Sequence, residues 1–302
     1  MGELQAYLPS DLERLNGFIN LVQGATESPR ASDVAFLGDC LGQPGWNIED
    51  NCQLLIEAES LAGYVHVVPE LPIGRIVIDA AVHPDFRRRG FGRRLLAWGL
   101  GRGRELGVDL AHVGVGEDAY AASALLEGQG FAPHRLYWEL HWEGSMPEYS
   151  LPSGTSLRSF RTGDESLLAE VQNAAFDGQW GYSPNSVEDV EYKVQMHRVS
   201  HSGILFLVAG METAGFCWTR IDGPPGNQIG VIWMIGVRPE FRRGGMGRAI
   251  LLAGMGYLIQ QGVQAVELSV DGDNEPAREM YLGLGFRKVG GTLWYERGLQ
   301  NP

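Results

Sequence analysis

The chain is poor in cysteine. Cys40, Cys52 and Cys217 are the only three in 302 residues, and their spacing suits neither a metal site nor a disulfide framework. So few thiols are expected to be reduced and buried, in a cytoplasmic protein. No apolar run approaches the roughly 20 residues that cross a bilayer, so no membrane partner is expected. Residues 1–11 lack a basic segment followed by an apolar one, and no secretory signal is read there. Cations are scarce too: 24 Lys and Arg stand against 37 Asp and Glu, a formal net charge of −13. That argues against nucleic acid as a partner, because phosphate backbones need a basic face. It mildly favours a cationic small ligand over an anionic one. No Gly-Lys-Ser/Thr occurs, which removes the P-loop nucleotide site. Oligomeric state is not legible.

Against that deficit, eight of the 24 basic residues crowd into two loops: Arg87, Arg88, Arg89, Arg93 and Arg94, and Arg242, Arg243 and Arg248. The second loop follows an apolar run, Ile229–Val237. After Arg238-Pro239-Glu240-Phe241, its residues are Arg242-Arg243-Gly244-Gly245-Met246-Gly247-Arg248, and an apolar helix-length run comes next. The order is strand, glycine-rich basic turn, helix. Cations oppose the dipole at a helix N-terminus. Free N–H groups, the dipole and the arginines together make an anion site suited to phosphate or pyrophosphate.

The layout occurs twice. Val82-His83-Pro84-Asp85-Phe86-Arg87-Arg88-Arg89-Gly90-Phe91-Gly92-Arg93 lies 155 residues earlier. The offset runs without a gap to Gly130-Phe131 against Gly285-Phe286, with 19 identities in 50 pairs. Such a duplication implies two domains, expected at 1–143 and 155–302 with a linker at 144–154 rich in Pro, Gly and Ser. In each copy the periodicity predicts a strand, two helices, three strands, the basic turn, a helix, a strand, a helix and a closing strand. The predicted strand before each turn is Arg75–Val82 and Ile229–Val237. The fold class is mixed α/β with a ligand turn at the C-terminal end of a central strand.

These residues resemble the GNAT superfamily of acetyl-CoA-dependent N-acetyltransferases in its tandem, two-domain form. The resemblance rests on Arg242-x-x-Gly245-x-Gly247 after a Val-x-Pro strand end, then Val270-x-x-x-Asn274-x-x-Ala277-x-x-x-Tyr281-x-x-x-Gly285-Phe286. It implies a mixed, mostly antiparallel sheet in each domain, splayed at the acetyl-CoA site and flanked by helices. It implies that the turn, Arg242, Arg243, Gly244, Gly245, Met246, Gly247 and Arg248, holds the coenzyme A pyrophosphate. The pantetheine arm would pair with Ile235, Gly236 and Val237, and Asn274, Ala277 and Tyr281 would meet the cofactor from the following helix. In the first copy the retained positions are Val82, Arg87, Arg88, Arg89, Gly90, Phe91, Gly92 and Arg93.

The implied chemistry is attack of a neutral amine on a thioester. Backbone N–H near Gly236 and Val237 is the expected oxyanion donor. Tyr281 is the expected acid toward sulfur, a phenol of pKa about 10 against a thiol of about 8.5. In the first copy Asn274 is matched by Ala119 and Tyr281 by Leu126, so the second copy is expected to be catalytic and the first degenerate. Trp180 and Tyr182, in the loop 173–184, are candidate acceptor contacts. The strand Ile229–Val237 carries no carboxylate, and Glu267, Asp222, Asp177 and Glu296 all stay open as base. The acceptor is expected to be a small-molecule primary amine. A protein or peptide N-acetyltransferase and a non-catalytic acyl-CoA sensor are the alternatives, the sensor fitting the first copy best.

Overall fold

The computed structural model describes residues 2–24, 31–45 and 47–299. The chain packs into two compact units. Unit 1 comprises Met1–Trp138, Asp271–Asp273 and Gly290–Pro302; unit 2 comprises Glu139–Val270 and Asn274–Val289. In chain order the elements are β1 (Glu3–Ala6), α1 (Leu12–Gln23), α2 (Val34–Leu41), α3 (Ile48–Asn51), β2 (Cys52–Glu57), β3 (Ser60–Glu70), β4 (Arg75–Val82), α4 (Phe91–Glu105), β5 (Leu110–Gly116), α5 (Tyr120–Glu127) and β6 (Ala132–Glu143). They continue as β7 (Thr155–Ser159), α6 (Glu165–Phe176), α7 (Val187–Lys193), β8 (Val199–Ala209), β9 (Glu212–Asp222), β10 (Ile229–Val237), α8 (Met246–Gln260), β11 (Ala265–Asp271), α9 (Glu275–Gly283) and β12 (Arg287–Gly298). The strands before the basic turns, β4 and β10, have the bounds expected from the sequence.

Unit 1 has the strand order β1-β2-β3-β4-β5-β12, and unit 2 the order β11-β10-β9-β8-β7 with the end of β6 beside β11. Within unit 1, β4 and β5 run parallel, while β1–β2, β2–β3, β3–β4 and β5–β12 are antiparallel. Unit 2 repeats this with β10 and β11 parallel and β7–β8, β8–β9 and β9–β10 antiparallel. The contiguous division expected from the repeat differs from this packing at the last strand of each copy. Most of β12 lies in unit 1, with Glu296 opposite His112 on β5. The end of β6 lies in unit 2. A strand laid along the open side of β5 satisfies backbone groups that an edge would leave bare.

Each sheet is covered on both faces. In unit 1, α4 packs Leu95, Leu96 and Leu100 over Ile76 and Ile78. The opposite face carries Leu15 and Phe18 of α1 and Leu37 and Leu41 of α2 over Leu54 and Tyr64. In unit 2, α6 and α7 bring Leu168, Val171, Ala175 and Val190 onto Phe206, Phe216 and Trp218. The other face belongs to α8, nearly all of whose middle residues are buried. Start signals match the chain: Asp33 accepts from the Phe36 N–H at 2.7 Å to open α2, and Ser186 and Asp189 form a reciprocal capping box on α7.

His66 of β3 is buried in unit 1, and burial pushes its pKa from 6.5 down to about 4. Between those values the unfolded chain binds a proton that the folded chain refuses. The contribution to stability is full above pH 6.5 and is lost as pH falls toward 4, by up to about 3 kcal/mol. Urea unfolding at pH 7 and pH 4.5 measures that loss, which His66→Asn is expected to shrink.

Candidate active site

The site begins where two parallel strands part. In unit 2, β10 and β11 stay in register for only two pairs, Gly230 with Val266 and Val231 with Glu267. From Ile232 onward β10 pairs on its other side alone, with β9 as far as Val237 opposite Gly215. The Arg238 N–H donates to the Ala214 carbonyl at 2.9 Å. By the alternation of an antiparallel ladder, the N–H groups of Ile235 and Val237 then point away from β9, into the gap. Gly236 pairs inward with Phe216 and keeps its backbone groups in the ladder. Of the two expected oxyanion donors, the ladder therefore turns only Val237 toward the gap.

A register shift between Ile232 and Met234 marks a β-bulge at Trp233. Simple alternation predicts that Trp233 and Met234 face opposite sides. The extra residue cancels that, and both pack against the Phe206–Phe216–Trp218 cluster under α6. Trp233 meets Trp218 edge-on at 5.1 Å, and the Arg220 guanidinium lies 5.3 Å from the Trp233 ring. The strand approaches α6 closely at Gly236, where a Cβ would lie 2.7 Å from the Ala175 Cβ and 3.2 Å from Phe176.

The turn after β10 takes the shape that its glycines permit. Arg243 and Gly245 have φ of 69° and 76°, and Gly245 caps α8 with no side-chain partner for the first N–H groups. The first intrahelical bond closes from Ala249 to Gly245. The N–H groups of the opening turn of α8 are thus available to an anion. Arg243 and Arg248 are exposed beside them. Arg242 is not extended toward a ligand. Its Nε donates to the Val237 carbonyl at 3.0 Å and its terminal nitrogen to the Ala175 carbonyl at 2.8 Å, which braces the turn against β10 and α6.

Helix α9 closes the far side. A Cβ on Gly247 would sit 3.8 Å from the Met280 Sδ and 4.0 Å from Val237. Next to Met280, Tyr281 is buried and edge-on to Phe286 at 5.8 Å. Burial raises its phenol well above the ordinary range, and the nearby Cys217, which pairs with Ile235, adds to the rise. The hydroxyl therefore stays protonated across the neutral range. Asn274 caps α9, its Oδ1 accepting from the Ala277 N–H at 3.3 Å.

The loop expected at 173–184 begins only after Phe176, because α6 continues through that residue, and side chains of residues 172–185 clasp it. Tyr182 stacks on Phe176 at 5.0 Å, donates to Asn173 Oδ1 at 2.8 Å and accepts from Asn185 Nδ2 at 3.0 Å. Trp180 is half-buried beside it. Buried Gln172 joins this network, its Nε2 3.7 Å from the Met234 Sδ and its Oε1 3.4 Å from Asn185 Nδ2. Nothing in the sequence marks Gln172, which reads as one more polar position on a helix.

Unit 1 repeats the frame. The strands β4 and β5 pair from Arg75–Leu110 to Val77–His112 and then part. Arg88 and Gly90 have φ of 63° and 83°, Gly90 caps α4, and Arg87 reaches the Val82 carbonyl at 3.3 Å. Phe91 is buried, and Arg88, Arg89 and Arg93 are exposed. Arg89 lies over Phe86 and donates to the Asp85 carbonyl. A Cβ on Gly92 would lie 2.8 Å from Leu125. Leu126 is buried where unit 2 has Tyr281, and α5 starts at Ala119 with no side-chain cap.

Among the open base candidates, Glu296 lies in unit 1, bound to His112 at 2.8 Å, because β12 pairs with β5. Asp222 is held by Arg220 and Arg198, and Asp177 is exposed. Glu267 stands at the point where β10 and β11 part.

Comparison with known proteins places two matches to the acetyltransferase (GNAT) family on the chain, at residues 23–131 and 168–286. A protein named mycothiol acetyltransferase from Pseudarthrobacter chlorophenolicus is 35% identical over 237 residues, covering 76% of this chain and 72% of its own length. Another of that name, from an Arthrobacter species, is 31% identical over 303 residues, with coverage of 94% and 93%. A tandem GNAT protein from the clavulanic acid biosynthesis pathway shares the fold, with TM-score 0.78, 16% identity and full coverage of both chains.

Gly236→Val places a branched side chain against Ala175 and Phe176. Overpacking of this kind is expected to cost about 2 kcal/mol. Denaturant unfolding beside Gly298→Val, an exposed control at the end of β12 where an added Cβ meets nothing within 4 Å, measures the excess.

Proposed function

The chain belongs to the GNAT acetyltransferase family and is an acetyl-CoA-dependent N-acetyltransferase, and from that premise we propose that unit 2 carries out the transfer to a small-molecule primary amine. The residues present fit the donor. The uncapped start of α8 suits its pyrophosphate, and the gap-facing edge of β10 suits an extended arm. Ile235, Val237, Arg243, Gly244, Gly245, Met246, Gly247 and Arg248 would hold it, with Arg242 keeping the turn in place. Bound acetyl-CoA supplies the acetyl group as an activated thioester.

The chain's residues do the rest. The Val237 N–H, turned into the gap and fixed by the β9 ladder, donates to the carbonyl oxygen as charge develops. The Tyr281 hydroxyl, kept protonated by burial, gives its proton to the departing sulfur. The fixed strand and the α6 wall orient the amine on the gap's face. Asn274 holds the first turn of α9, and so the direction in which Tyr281 points. Unit 1 retains a turn of the same shape but has Leu126 for the phenol, which supports a binding role there without transfer.

The observation that carries this reading is the placement of Tyr281. It is a buried phenol beside the end of the parting strand in unit 2, and the matching position in unit 1 is Leu126. The relatives' name supports a small amine, and the amine of a cysteinyl amino-sugar inositol is the first acceptor to test. Trp180 and Tyr182 would line its entry, Tyr182 through the face not stacked on Phe176.

Tyr281→Phe is expected to lower kcat at least about 100-fold and leave acetyl-CoA affinity within about twofold. Steady-state transfer and calorimetric titration read the two quantities. Unchanged turnover removes Tyr281 as the acid or moves the chemistry to unit 1.

A further inference from the structure

The acceptor amine is protonated in water and must shed a proton, yet β10 holds no carboxylate to take it. The apex of the gap does. Gly230 faces α8, where its Cβ would meet Leu258 and Val263 at 2.9 and 3.0 Å. Its neighbour Val231, and Glu267 paired level with it, therefore face the α6 side. His141 of β6 sets its Nδ1 3.0 Å from Glu267 Oε1 and its Nε2 2.9 Å from Glu143 Oε1. The Glu267 and His141 side chains are 17% and 14% exposed, and that of Glu143 is 57% exposed. A carboxylate–imidazole–carboxylate chain thus runs from the gap to solvent.

Unit 1 offers an internal control. At the matching position β5 carries His112, whose cross-strand partner on β12 is Glu296, so the two residue types are exchanged. There the imidazole is locked. Arg75, itself paired with Glu70, lies 3.0 Å from His112 Nδ1. A guanidinium only donates, so Nδ1 accepts and the Nε2–H goes to Glu296. Burial, with Arg75 and His134 adding, holds this imidazole below its ordinary pKa against the pull of Glu296. In unit 2 the residue in Arg75's register place is Ile229, one before Gly230. Glu143 stands where the 155-residue offset puts Gly298. The copy with the buried phenol has lost the arginine lock and gained a second carboxylate.

We propose that Glu267, His141 and Glu143 form the outlet for the amine's proton. This rests on the transfer reading above. Four residues of strand separate Val231 from Ile235, about 13 Å, so water in the gap carries the proton to Glu267. The ammonium gives up one proton along this path. The neutral amine then forms the N–C bond as the C–S bond breaks, and its surplus proton is balanced by the one that Tyr281 gives to sulfur. One proton leaves per turnover, through Glu267 and His141 to Glu143. The charged groups facing His141 are Glu267 from β11 and Glu143 from its own strand, and Arg287 reaches Glu143 at 3.3 Å.

The test uses the full chain with the cysteinyl amino-sugar inositol as the probe amine. Glu267→Gln is expected to lower kcat/KM about 100-fold at pH 7 and under about 10-fold at pH 9.5, where the free amine is abundant. Acetyl-CoA affinity and melting temperature should hold. Exposed Glu143→Gln is expected to lose about threefold to tenfold, with partial rescue by added imidazole buffer; it decides the matter if Glu267→Gln does not fold. In the cofactor-free protein, a downfield His141 Nδ1 proton is expected by NMR and should vanish in Glu267→Leu. An active wild type with an unchanged Glu267→Gln profile overturns the relay alone. A wild type and Tyr281→Phe equally inactive on every amine tried overturn the transfer reading, and the relay with it.

Discussion

Two parallel strands that separate after two or three residue pairs are the constraint on which each unit is built. Backbone N–H groups along a strand must find acceptors, and an unmet one costs about as much as a broken hydrogen bond. By parting from its neighbour, the central strand keeps one row of donors open without becoming an edge, because its other side stays fully paired. Around that opening the sequence adds supports: a glycine where α6 presses in, an arginine tying the turn to the strand end, and a bulge that turns two large residues to one face.

The two copies show how one frame is diverted. The turn, the positive-φ residues and the parting strands are common to both. What differs is the lining. Phenol replaces leucine, a capping asparagine replaces alanine, and an arginine-locked imidazole gives way to one flanked by carboxylates. None of these changes touches the strands' register, so they carry little risk to the fold. On the reading proposed above, one half of the duplication carries the chemistry on a frame that its twin shares.

Much of this was legible before any coordinates. Arginines and glycines at fixed spacing after a Val-x-Pro strand end announce a turn that few other structures need, and β4 and β10 fall within their expected bounds. Asn274 and Tyr281 stood out through the resemblance to the GNAT superfamily, whose motif they match in type and spacing. What escaped did so for physical reasons. The bulge at Trp233 adds one apolar residue to an apolar run, which no alternation rule detects. The bracing role of Arg242 was hidden too, since its partners are the Val237 and Ala175 carbonyls, and backbone acceptors leave no mark in sequence. Glu296 seemed to belong with the second copy because chain order says nothing of which sheet a closing strand joins.

That last point reaches beyond the folded state, to synthesis. The sheet of unit 1 is finished by β12, which ends about 160 residues after Trp138 has been made. At about 5–20 residues per second, the ribosome needs on the order of ten to thirty seconds to supply it. During that interval β5 has a bare flank, and the young chain relies on its two helical layers to stay compact. The sheet of unit 1 is thus closed by β12, and a message truncated before that strand would leave it unfinished.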